Sequence, residues 1–413
     1  MMNLVIYEDY SSRWFYPLNL NRPTSGLKCG AFSLSEKIRY TFPHLKCYYI
    51  LRKEISILEK RLFEFSRIKE NEEYLFILSS VISEENWGLS MNESAYIQEN
   101  LVGFKLSGNL ARSLSENDFL QKDQLEKKLS QFNLKRREVK GRRYNYTHQL
   151  MMANSEEIIR DFKRLKENFP QADNSSVSIR GKRENVLIHK DAVIHDGVYL
   201  NSEGGPIIID ELAEVRPLSV IEGPCYIGRK VQVDQCKIGG GSSLFEGCRV
   251  GGEIGSSVML DYSNKHHEGF LGHSYVGSFV NFGAMATNSD LKNNYGEVKL
   301  QILGETVNTV SVKMGCLIGD HSKLGIGSLL NTGTVIGVGC NLYFEGKMYP
   351  RDLPSFVWGG KFPFKEYEKE KWIKNTEKIM ARRQKVLTEE EAKLYLELHD
   401  NESKRREFFF SES

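Results

Sequence analysis

Aliphatic residues recur every six positions through the second half of the chain, and small residues recur between them. Glycine often follows the aliphatic residue, as at Gly228 and Gly319. A period of six fits neither a helix nor a simple strand. It is typical of short strands joined by tight bends, three to a triangular coil of roughly 18 residues. The in-phase residues are Ile188, Ile194 and Leu200; Ile209, Val215, Ile221, Ile227 and Val233; Ile238, Leu244 and Val250; Val276 and Phe282; and Ile318, Leu324, Leu330, Ile336 and Leu342.

This pattern predicts a left-handed parallel β-helix over residues 186–350, with on the order of eight coils. The repeat is interrupted at 261–270 and at 288–316. Because loops leaving a rigid repeat often carry function, these interruptions are the first places to look for a site.

The first interruption crowds titratable groups into Lys265, His266, His267 and Glu268. A neutral histidine is well suited to accept a proton near pH 7. Beside lysines and amides, such a base fits the transfer of an acyl group to an amine or hydroxyl. A metal site at the two histidines and Glu268 is less favoured, because adjacent side chains diverge and no HxxxH spacing exists.

The first half of the chain alternates between predicted strands and predicted helices. Strands are predicted at 3–9 and 73–82, and helices at 33–41 and 54–65. This alternation favours an α/β domain over residues 1–180. A capping pair, Asn154 with Glu157, is expected to begin a further helix, and 168–178 reads as a linker.

Two charged regions complete the prediction. The basic run 122–143 is interpreted as a solvated loop or a patch for phosphorylated ligands, with an RNA-binding stripe less favoured. Residues 351–413 are charged and helical in pattern, with Thr388 and Glu391 forming a capping box. They are predicted to form a terminal cap on the β-helix.

Composition sets limits on function. The chain of 413 residues is long enough for two or three domains, and its formal net charge of +2 gives no argument for nucleic acid or acidic lipid as a partner. Its seven cysteines include no CxxC pair, so they are interpreted as reduced, small hydrophobic residues. Neither a signal peptide nor a membrane span is expected, which makes the cytoplasm the default compartment.

At HEGFLGHSYVGSFVNFGA, residues 267–284, the sequence resembles the acceptor-site segment of the GlmU-related bifunctional family. That family joins a uridylyltransferase domain to a glucosamine-1-phosphate acetyltransferase β-helix. The resemblance implies a general base at His267 and a sugar-phosphate contact at Asn281. It also implies acceptor and acetyl-CoA contacts; they fall on Lys265, Phe270, Gly283, Ala284, Asn294, Tyr295 and Lys299.

The resemblance extends over nearly the whole chain, to a divergent group typified in the Bacteroidetes, through SNKHHEGFLG, LKNNYGEVKL and NTGTVIGV. Two positions depart from the family pattern. Phe270 stands where the family has a tyrosine, which removes one hydrogen bond to the acceptor. The glycine-rich phosphate loop LxxGxGTxM is missing, and VIYEDYSSRWFYPLNLNRP stands in its place. There Asp9 or Glu8 would serve a Mg²⁺ ion, and Arg22 would bind phosphate.

The expected function is acetyl-CoA-dependent N-acetylation of an amino-sugar phosphate, for UDP-N-acetylglucosamine and cell-envelope precursor synthesis. Coupling of the sugar phosphate to UTP is a possible second activity, and a homotrimer is expected from related β-helix acyltransferases. Two alternatives stay open: a nucleotide-sugar-binding regulatory protein with an inactive first domain, and a β-helix that serves only as a trimerising scaffold.

Overall fold

The computed structural model describes residues 2–343 and 345–411. They form two compact units. The first comprises residues up to 15, 19–27 and 32–146, and the second comprises 16–18, 28–31 and the chain from 147 onward. None of the helices in these described ranges is both long and apolar enough to cross a bilayer.

The first unit is built on a six-stranded mixed sheet with helices around it. The apolar strand Met2–Tyr7 lies inside the sheet, parallel to both of its neighbours, and its residues from Asn3 on are fully buried. Such continuous burial is typical of parallel strands that are covered on both faces. In spatial order the strands are Lys46–Ile50, Met2–Tyr7, Glu73–Leu78, Asn100–Ser107, Glu93–Ile97 and Lys135–Glu138. The helices are Leu34–Thr41, Lys53–Ser56, Gly108–Ala111, Glu116–Leu120 and Gln124–Leu129.

One of the two helices predicted in this unit is confirmed and the other is wrong. Helix Leu34–Thr41 begins after Ser33, which forms a capping box with Glu36. The helix expected over 54–65 is only the turn Lys53–Ser56. Beyond it, the Phe63 backbone N–H donates to the Tyr49 carbonyl, so this segment runs alongside a strand. Pairing with the sheet has overridden the helical pattern.

The basic run 122–143 is also different from the expected loop. It contains helix Gln124–Leu129 and the edge strand Lys135–Glu138, whose residues are all exposed. Arg136 pairs with Glu99 and Glu138 at 2.7 Å each and lies over an aromatic ring. Because its charge is already balanced by neighbouring carboxylates, this strand offers little to a phosphate.

The second unit is a parallel β-helix with three walls, here called A, B and C. Every in-phase aliphatic residue predicted from the sequence is buried inside it except Ile194, which is partly buried against the same core. Wall C alone stacks nine strands in parallel, which confirms the predicted fold. Its strands are Val186–Ile188, Ile207–Ile209, Cys225–Ile227, Ser242–Leu244, Val258–Met259, Tyr275–Val276, Cys316–Ile318, Thr334–Ile336 and Asp352–Leu353.

Walls A and B meet at a corner where two strands, Gln232–Ile238 and Arg249–Gly255, continue from one wall into the other. Wall A also contains Val193–Ile194, Glu214–Val215, Asn264–Lys265, Asn281–Phe282, Lys323–Leu324, Asn341–Leu342 and Val357–Gly359. Wall B also contains Ser178–Arg180, Tyr199–Asn201, Val220–Glu222, Phe270–Gly272, Thr287–Asn288 and Leu329–Leu330.

The interruption at 288–316 is an insertion that carries a two-stranded hairpin, Lys299–Ile302 with Glu305–Asn308. Three helices follow the β-helix, as predicted, and the second begins at the expected capping box of Thr388 and Glu391. The helices are Lys369–Ala381, Glu389–Asn401 and Ser403–Ser411.

A long helix, Thr147–Lys166, also belongs to the second unit. The prediction that Asn154 begins a helix is wrong, because this buried residue lies in the helix interior. Its amide accepts a hydrogen bond from the Gly30 N–H at 2.7 Å and donates to the Gly241 carbonyl at 2.9 Å. Asn154 thereby links the helix, the segment 28–31 and wall C.

All seven cysteines are free and buried, which agrees with the prediction that they act as small hydrophobic residues. Burial raises the pKa of the Cys248 and Cys340 thiols to about 12. Both thiols therefore stay protonated at neutral pH and are poor nucleophiles.

Candidate active site

Lys265 takes the place of an aliphatic residue inside the β-helix. It pairs with Val250 of the coil before it, and only 1% of the residue is exposed. Its stem fills the inward position, while its Nζ donates to the Gly251 carbonyl at 3.1 Å and the His267 carbonyl at 2.6 Å. Burial lowers the pKa of this amine. The resemblance implied a substrate contact here, but the structure places Lys265 in the core, where it fixes the corner that carries His267.

We expect Lys265→Met to destabilise the second unit by about 1–3 kcal/mol, because two buried carbonyls lose their donor. Methionine has a similar length, so little cavity should form. Urea unfolding followed by circular dichroism measures the change. Lys237→Met, at an exposed lysine on the neighbouring wall B, provides the control. Equal stability of the Lys265 variant and the parent would contradict a structural role.

His267 is exposed on the corner between walls A and B, and His266 is partly buried beside it. The two rings meet edge to face, with centroids 5.3 Å apart. His266 Nε2 lies 3.7 Å from Asp234 Oδ2, and its buried Nδ1 has no hydrogen-bond partner among the described residues. Burial is the main cause of the lowered pKa of His266. The corner therefore presents His267 to solvent and keeps His266 against the scaffold.

Exposed apolar side chains lie on the same corner above and below the histidines. Leu218 is 73% exposed, Met285 59% and Ile326 75%. The Met285 backbone N–H donates to the Glu268 carbonyl, so Met285 belongs to the coil directly stacked on the histidine corner. Exposed apolar residues in one column are typical of a surface that contacts another protein.

Asn281 lies on wall A, one coil below Asn264, and accepts a hydrogen bond from the Asn264 amide at 2.9 Å. Both line a cleft of about 560 Å³ between wall A and helix Lys369–Ala381. His267 is three positions after Asn264, so their Cα atoms are at most about 11 Å apart. The structure thus brings the two residues with the clearest family counterparts, His267 and Asn281, to neighbouring parts of one surface.

Lys323 lies on wall A in the same cleft, and its amine donates to the Phe279 carbonyl. Burial lowers its pKa to about 7, against a weaker opposing effect of Asp320. The unfolded state, with an ordinary lysine pKa, binds the additional proton between about pH 7 and 10.5. Unfolding free energy should therefore rise with pH across that window, by at most about 1.4 kcal/mol per unit from this group.

In Lys323→Met, this rise should be lost, so the variant gains stability relative to the parent at pH 6.5 and loses most of that advantage by pH 9.5. Urea unfolding of both proteins at pH 6.5, 8 and 9.5 tests this. Parallel pH profiles would show that the Lys323 amine has an ordinary pKa in the folded protein.

Gly283 and Ala284, assigned to the acetyl-CoA site, take part in hydrogen bonds between coils, and Phe270 lies on a different wall. The Gly283 N–H donates to the Leu324 carbonyl within the ladder, so it is not available to a ligand. A side chain at Gly283 would meet the backbone of Gly325 at 2.5 Å, which explains the glycine by coil stacking. The Ala284 carbonyl accepts from Gly327. Phe270, partly buried, lies on wall B, and its ring lies over Gly272.

Asn294, Tyr295 and Lys299 lie in the insertion. Tyr295 is 70% exposed with a φ of 56°, and the Asn294 side chain accepts from the Gly296 N–H. Among the described residues, no hydrogen bond or ion pair joins any of the three to His267. Their assignment to the acceptor site is therefore still a prediction.

His273, which was not predicted as a site residue, has a carboxylate partner that orients its ring, whereas His267 has none among the described residues. His273 Nδ1 lies 2.6 Å from Asp290 Oδ2, and this contact lowers the pKa of the carboxyl group. The pair lies at the corner between walls B and C, and His273 lines a cavity of about 320 Å³ with Ser256 and Lys313. A carboxylate that orients a histidine is the usual arrangement for a general base. The partners are 17 positions apart, so no local motif in the sequence marks the pair.

In the first unit, Glu8 and Asp9 follow the central strand, at the carboxyl end of the parallel part of the sheet. Both oxygens of the buried Glu8 are used: one accepts from the Thr24 N–H at 2.7 Å, and the other accepts from Arg52 at 3.0 Å. Arg52 also donates to the carbonyl of Arg22 at 3.4 Å. Glu8 therefore fixes the loop that contains Arg22.

Asp9 lines a small polar cavity of about 190 Å³ with Arg143 and Lys122. Its Oδ1 accepts from both the N–H and the hydroxyl of Ser11, and its Oδ2 lies 3.8 Å from Arg143. Typical small-molecule sites occupy about 300–1,000 Å³. No group of three metal-ligand side chains occurs in the described part of the chain. Because Mg²⁺ is usually held by one or two carboxylates together with substrate phosphates, the assignment of a Mg²⁺ ligand to Asp9 is still a prediction.

Comparison with known proteins agrees with this two-part organisation. Residues 4–169 match the family described as "Sugar nucleotidyl transferase". The chain is 31% identical over 181 residues to a bifunctional sugar-1-phosphate nucleotidylyltransferase/acetyltransferase of Sulfurisphaera tokodaii, covering 43% of this chain and 39% of that protein. It is 26% identical over 178 residues to the bifunctional protein GlmU of Methanocaldococcus jannaschii, covering 41% and 38%.

The matched region thus spans about two fifths of the length of these curated relatives. A solved structure of LpxA, a UDP-N-acetylglucosamine acyltransferase from Bacteroides fragilis, aligns with 51% of this chain and 96% of its own at 12% identity and a TM-score of 0.25. The β-helix assignment rests on the strand pairing described above. The first part of the chain thus matches a sugar nucleotidyl transferase family model, and the chain is similar to GlmU-related bifunctional proteins over about two fifths of its length.

Proposed function

We propose that the β-helix transfers an acetyl group from acetyl-CoA to the amine of an amino-sugar phosphate, with His267 as general base. One observation carries the proposal: the strand Asn264–Lys265 joins an exposed histidine to a cation-lined cleft that contains Asn281. The histidine supplies a proton acceptor, and the cleft supplies donors for a phosphoryl group.

In the reaction, the amine nitrogen attacks the thioester carbon, and His267 Nε2 or Nδ1 accepts the amine proton. The tetrahedral intermediate then collapses with cleavage of the carbon–sulfur bond. CoA leaves as its thiol once the sulfur takes up a proton. An exposed, unpaired imidazole can exchange that proton with solvent between turnovers.

A homotrimer fits this scheme, because the exposed Leu218, Met285 and Ile326 lie on the same corner as His267. A neighbouring subunit that covers this column would exclude water from the thioester. The cytoplasm and a role in UDP-N-acetylglucosamine synthesis for the cell envelope are part of the same proposal. The relatives' names support only the sugar-phosphate and acetyltransferase parts of this proposal.

The direct test is release of the CoA thiol from acetyl-CoA with glucosamine 1-phosphate, glucosamine 6-phosphate and unphosphorylated glucosamine as acceptors. We expect turnover with a phosphorylated acceptor and at least 10-fold less with glucosamine. No thiol release with any acceptor would count against acetyl transfer and in favour of a scaffold.

For the first unit we propose binding of a nucleotide sugar without catalysis. The buried carboxylate of Glu8, which accepts hydrogen bonds from Thr24 and Arg52 of the same unit, supports this choice over nucleotidyl transfer. Calorimetric titration with UTP and UDP-N-acetylglucosamine, together with an assay for pyrophosphate release, separates the two. Pyrophosphate release from UTP and a sugar 1-phosphate would overturn the proposal.

A further inference from the structure

The cleft between wall A and helix Lys369–Ala381 gathers five cationic side chains from distant parts of the chain. Two come from the β-helix wall, and three come from the end of the helix and the residues just after it. They are Arg249, Lys323, Lys378, Arg382 and Arg383. No carboxylate lines the cleft.

These charges are not balanced within the protein. Among the described residues, none of the five is within ion-pair distance of an acidic side chain. This contrasts with Arg216 and Arg229 on the preceding coils, which pair with carboxylates at 2.9–3.2 Å. The same wall therefore changes from paired to unpaired cations where the cleft begins.

For two of the five side chains, the surroundings disfavour the charged form. The pKa of Arg383 is lowered by burial and by the nearby charge of Arg249, and that of Lys323 is lowered to about 7 by burial. Part of the cluster has a plain structural role, since Lys378 and Arg382 complement the carboxyl end of their helix. That role does not explain Arg249, Lys323 and Arg383, which converge from opposite sides of the cleft.

The remaining lining identifies the kind of anion. Cations on two facing sides suit a ligand with adjacent phosphoryl groups better than a single phosphate, because arginine forks bind phosphate oxygens in pairs. The rings of Tyr262 and Phe279 stack at 5.0 Å along one edge of the cleft, and the amides of Asn264 and Asn281 lie beside them. Both faces of the Phe279 ring are already stacked, on Tyr262 and on His321, so the amides are the groups that can contact the rest of such a ligand.

We infer that this cleft binds the diphosphate of a nucleotide ligand, with Arg249 and Arg383 as its main contacts. The inference deepens the proposed function, on which the choice of CoA as a probe rests. Two sources share the chemistry: the diphosphate of CoA and that of a nucleotide sugar. The C-terminal helices then do more than cap the β-helix, because they supply half of a ligand site.

Isothermal titration of the full-length protein at pH 7.5 tests the inference, with CoA, UDP-N-acetylglucosamine, inorganic pyrophosphate and inorganic phosphate as probes. We expect CoA or the nucleotide sugar to bind at least 10-fold more tightly than phosphate, and pyrophosphate to compete. Whichever of CoA and UDP-N-acetylglucosamine binds more tightly identifies the class of ligand that supplies the diphosphate. Added salt should weaken binding, as for any site made of cations.

Variants locate the site. The double variant Arg249→Gln/Arg383→Gln should weaken binding of the tighter probe at least 10-fold. Lys378→Gln should weaken it by several-fold, whereas Lys374→Gln, one turn earlier on the exposed side of the same helix, should not. Circular dichroism and the melting temperature check that the variants are folded. If the double variant is unfolded, the Lys378 and Lys374 pair decides.

The inference is overturned if phosphate binds as tightly as the diphosphates, if no probe binds, or if the folded double variant binds like the parent. Its failure is distinct from that of acetyl transfer. Cleft-dependent binding without thiol release would keep the inference and reject the activity. The opposite outcome is thiol release that the double variant retains with an unchanged KM for acetyl-CoA, without any cleft-dependent binding. That outcome would keep the activity and reject the inference.

Discussion

His267→Ala should lower kcat for acetyl transfer by about 10²–10⁴-fold, the usual contribution of a positioned general base. The side chain is exposed, and its only described contact is the edge-to-face packing with His266. The substitution should therefore leave the melting temperature and ligand binding in the cleft nearly unchanged. The measurement is the rate of CoA thiol release at saturating acceptor.

His273→Ala is the matched comparison, because His273 is the histidine with the carboxylate partner at 2.6 Å. With His267 as base, this variant should keep most of its kcat. A full loss in His273→Ala with normal turnover in His267→Ala would transfer the role to the His273–Asp290 pair. The pH profile of the residual rate gives a second criterion. The variant that lacks the general base should lose the acidic limb of the bell-shaped profile, and the other variant should keep it.

Gly251→Ala should destabilise the second unit by about 1–3 kcal/mol and also reduce turnover. An added Cβ would lie 2.1 Å from the His266 carbonyl oxygen and 3.0 Å from that of Asp234. Neither atom belongs to a flexible side chain, so the corner itself must move. The Gly251 carbonyl also holds the Lys265 amine, so the shift reaches both the buried lysine and His267.

Gly255→Ala, in the same strand, is the control, because an added Cβ there meets nothing within 4 Å. Its stability should be equal to that of the parent or slightly higher, since alanine reduces the entropy of the unfolded chain. Urea unfolding and the thiol assay on both variants give the comparison. Equal stability of Gly251→Ala and Gly255→Ala would mean that the coils at this corner can move apart without a change in the free energy of unfolding.

The β-helix could be predicted because its signal is local and repeated. Each inward position, such as Ile227 or Ile336, restates the same requirement for a buried aliphatic residue in a tight coil. The positions of Lys265 and His267 do not follow from this phase, because both lie in the interruption at 261–270, 15 and 17 positions after Val250. The structure pairs Lys265 with Val250, at an inward position where lysine is rarely found.

Features that depend on distant pairing could not be predicted. Arg249 and Arg383 meet in one cleft although more than a hundred residues separate them, and no local pattern links the two. The Phe63 segment looks helical by its spacing but follows the strand at Tyr49. Asn154 looks like a helix cap, yet it serves as a buried link to Gly30. In each case a tertiary contact decided the outcome.

The short segment 28–31, which belongs to the second unit, bears on how this architecture could have evolved. The Tyr275 hydroxyl accepts from the Lys28 N–H at 2.9 Å and donates to its carbonyl at 2.8 Å, and the Lys28 amine pairs with Asp261. A single genetic crossover near residue 146 would deliver a β-helix without these partners. The two halves are therefore not interchangeable modules, and exchange between relatives must carry both parts together or rebuild the contact at Tyr275.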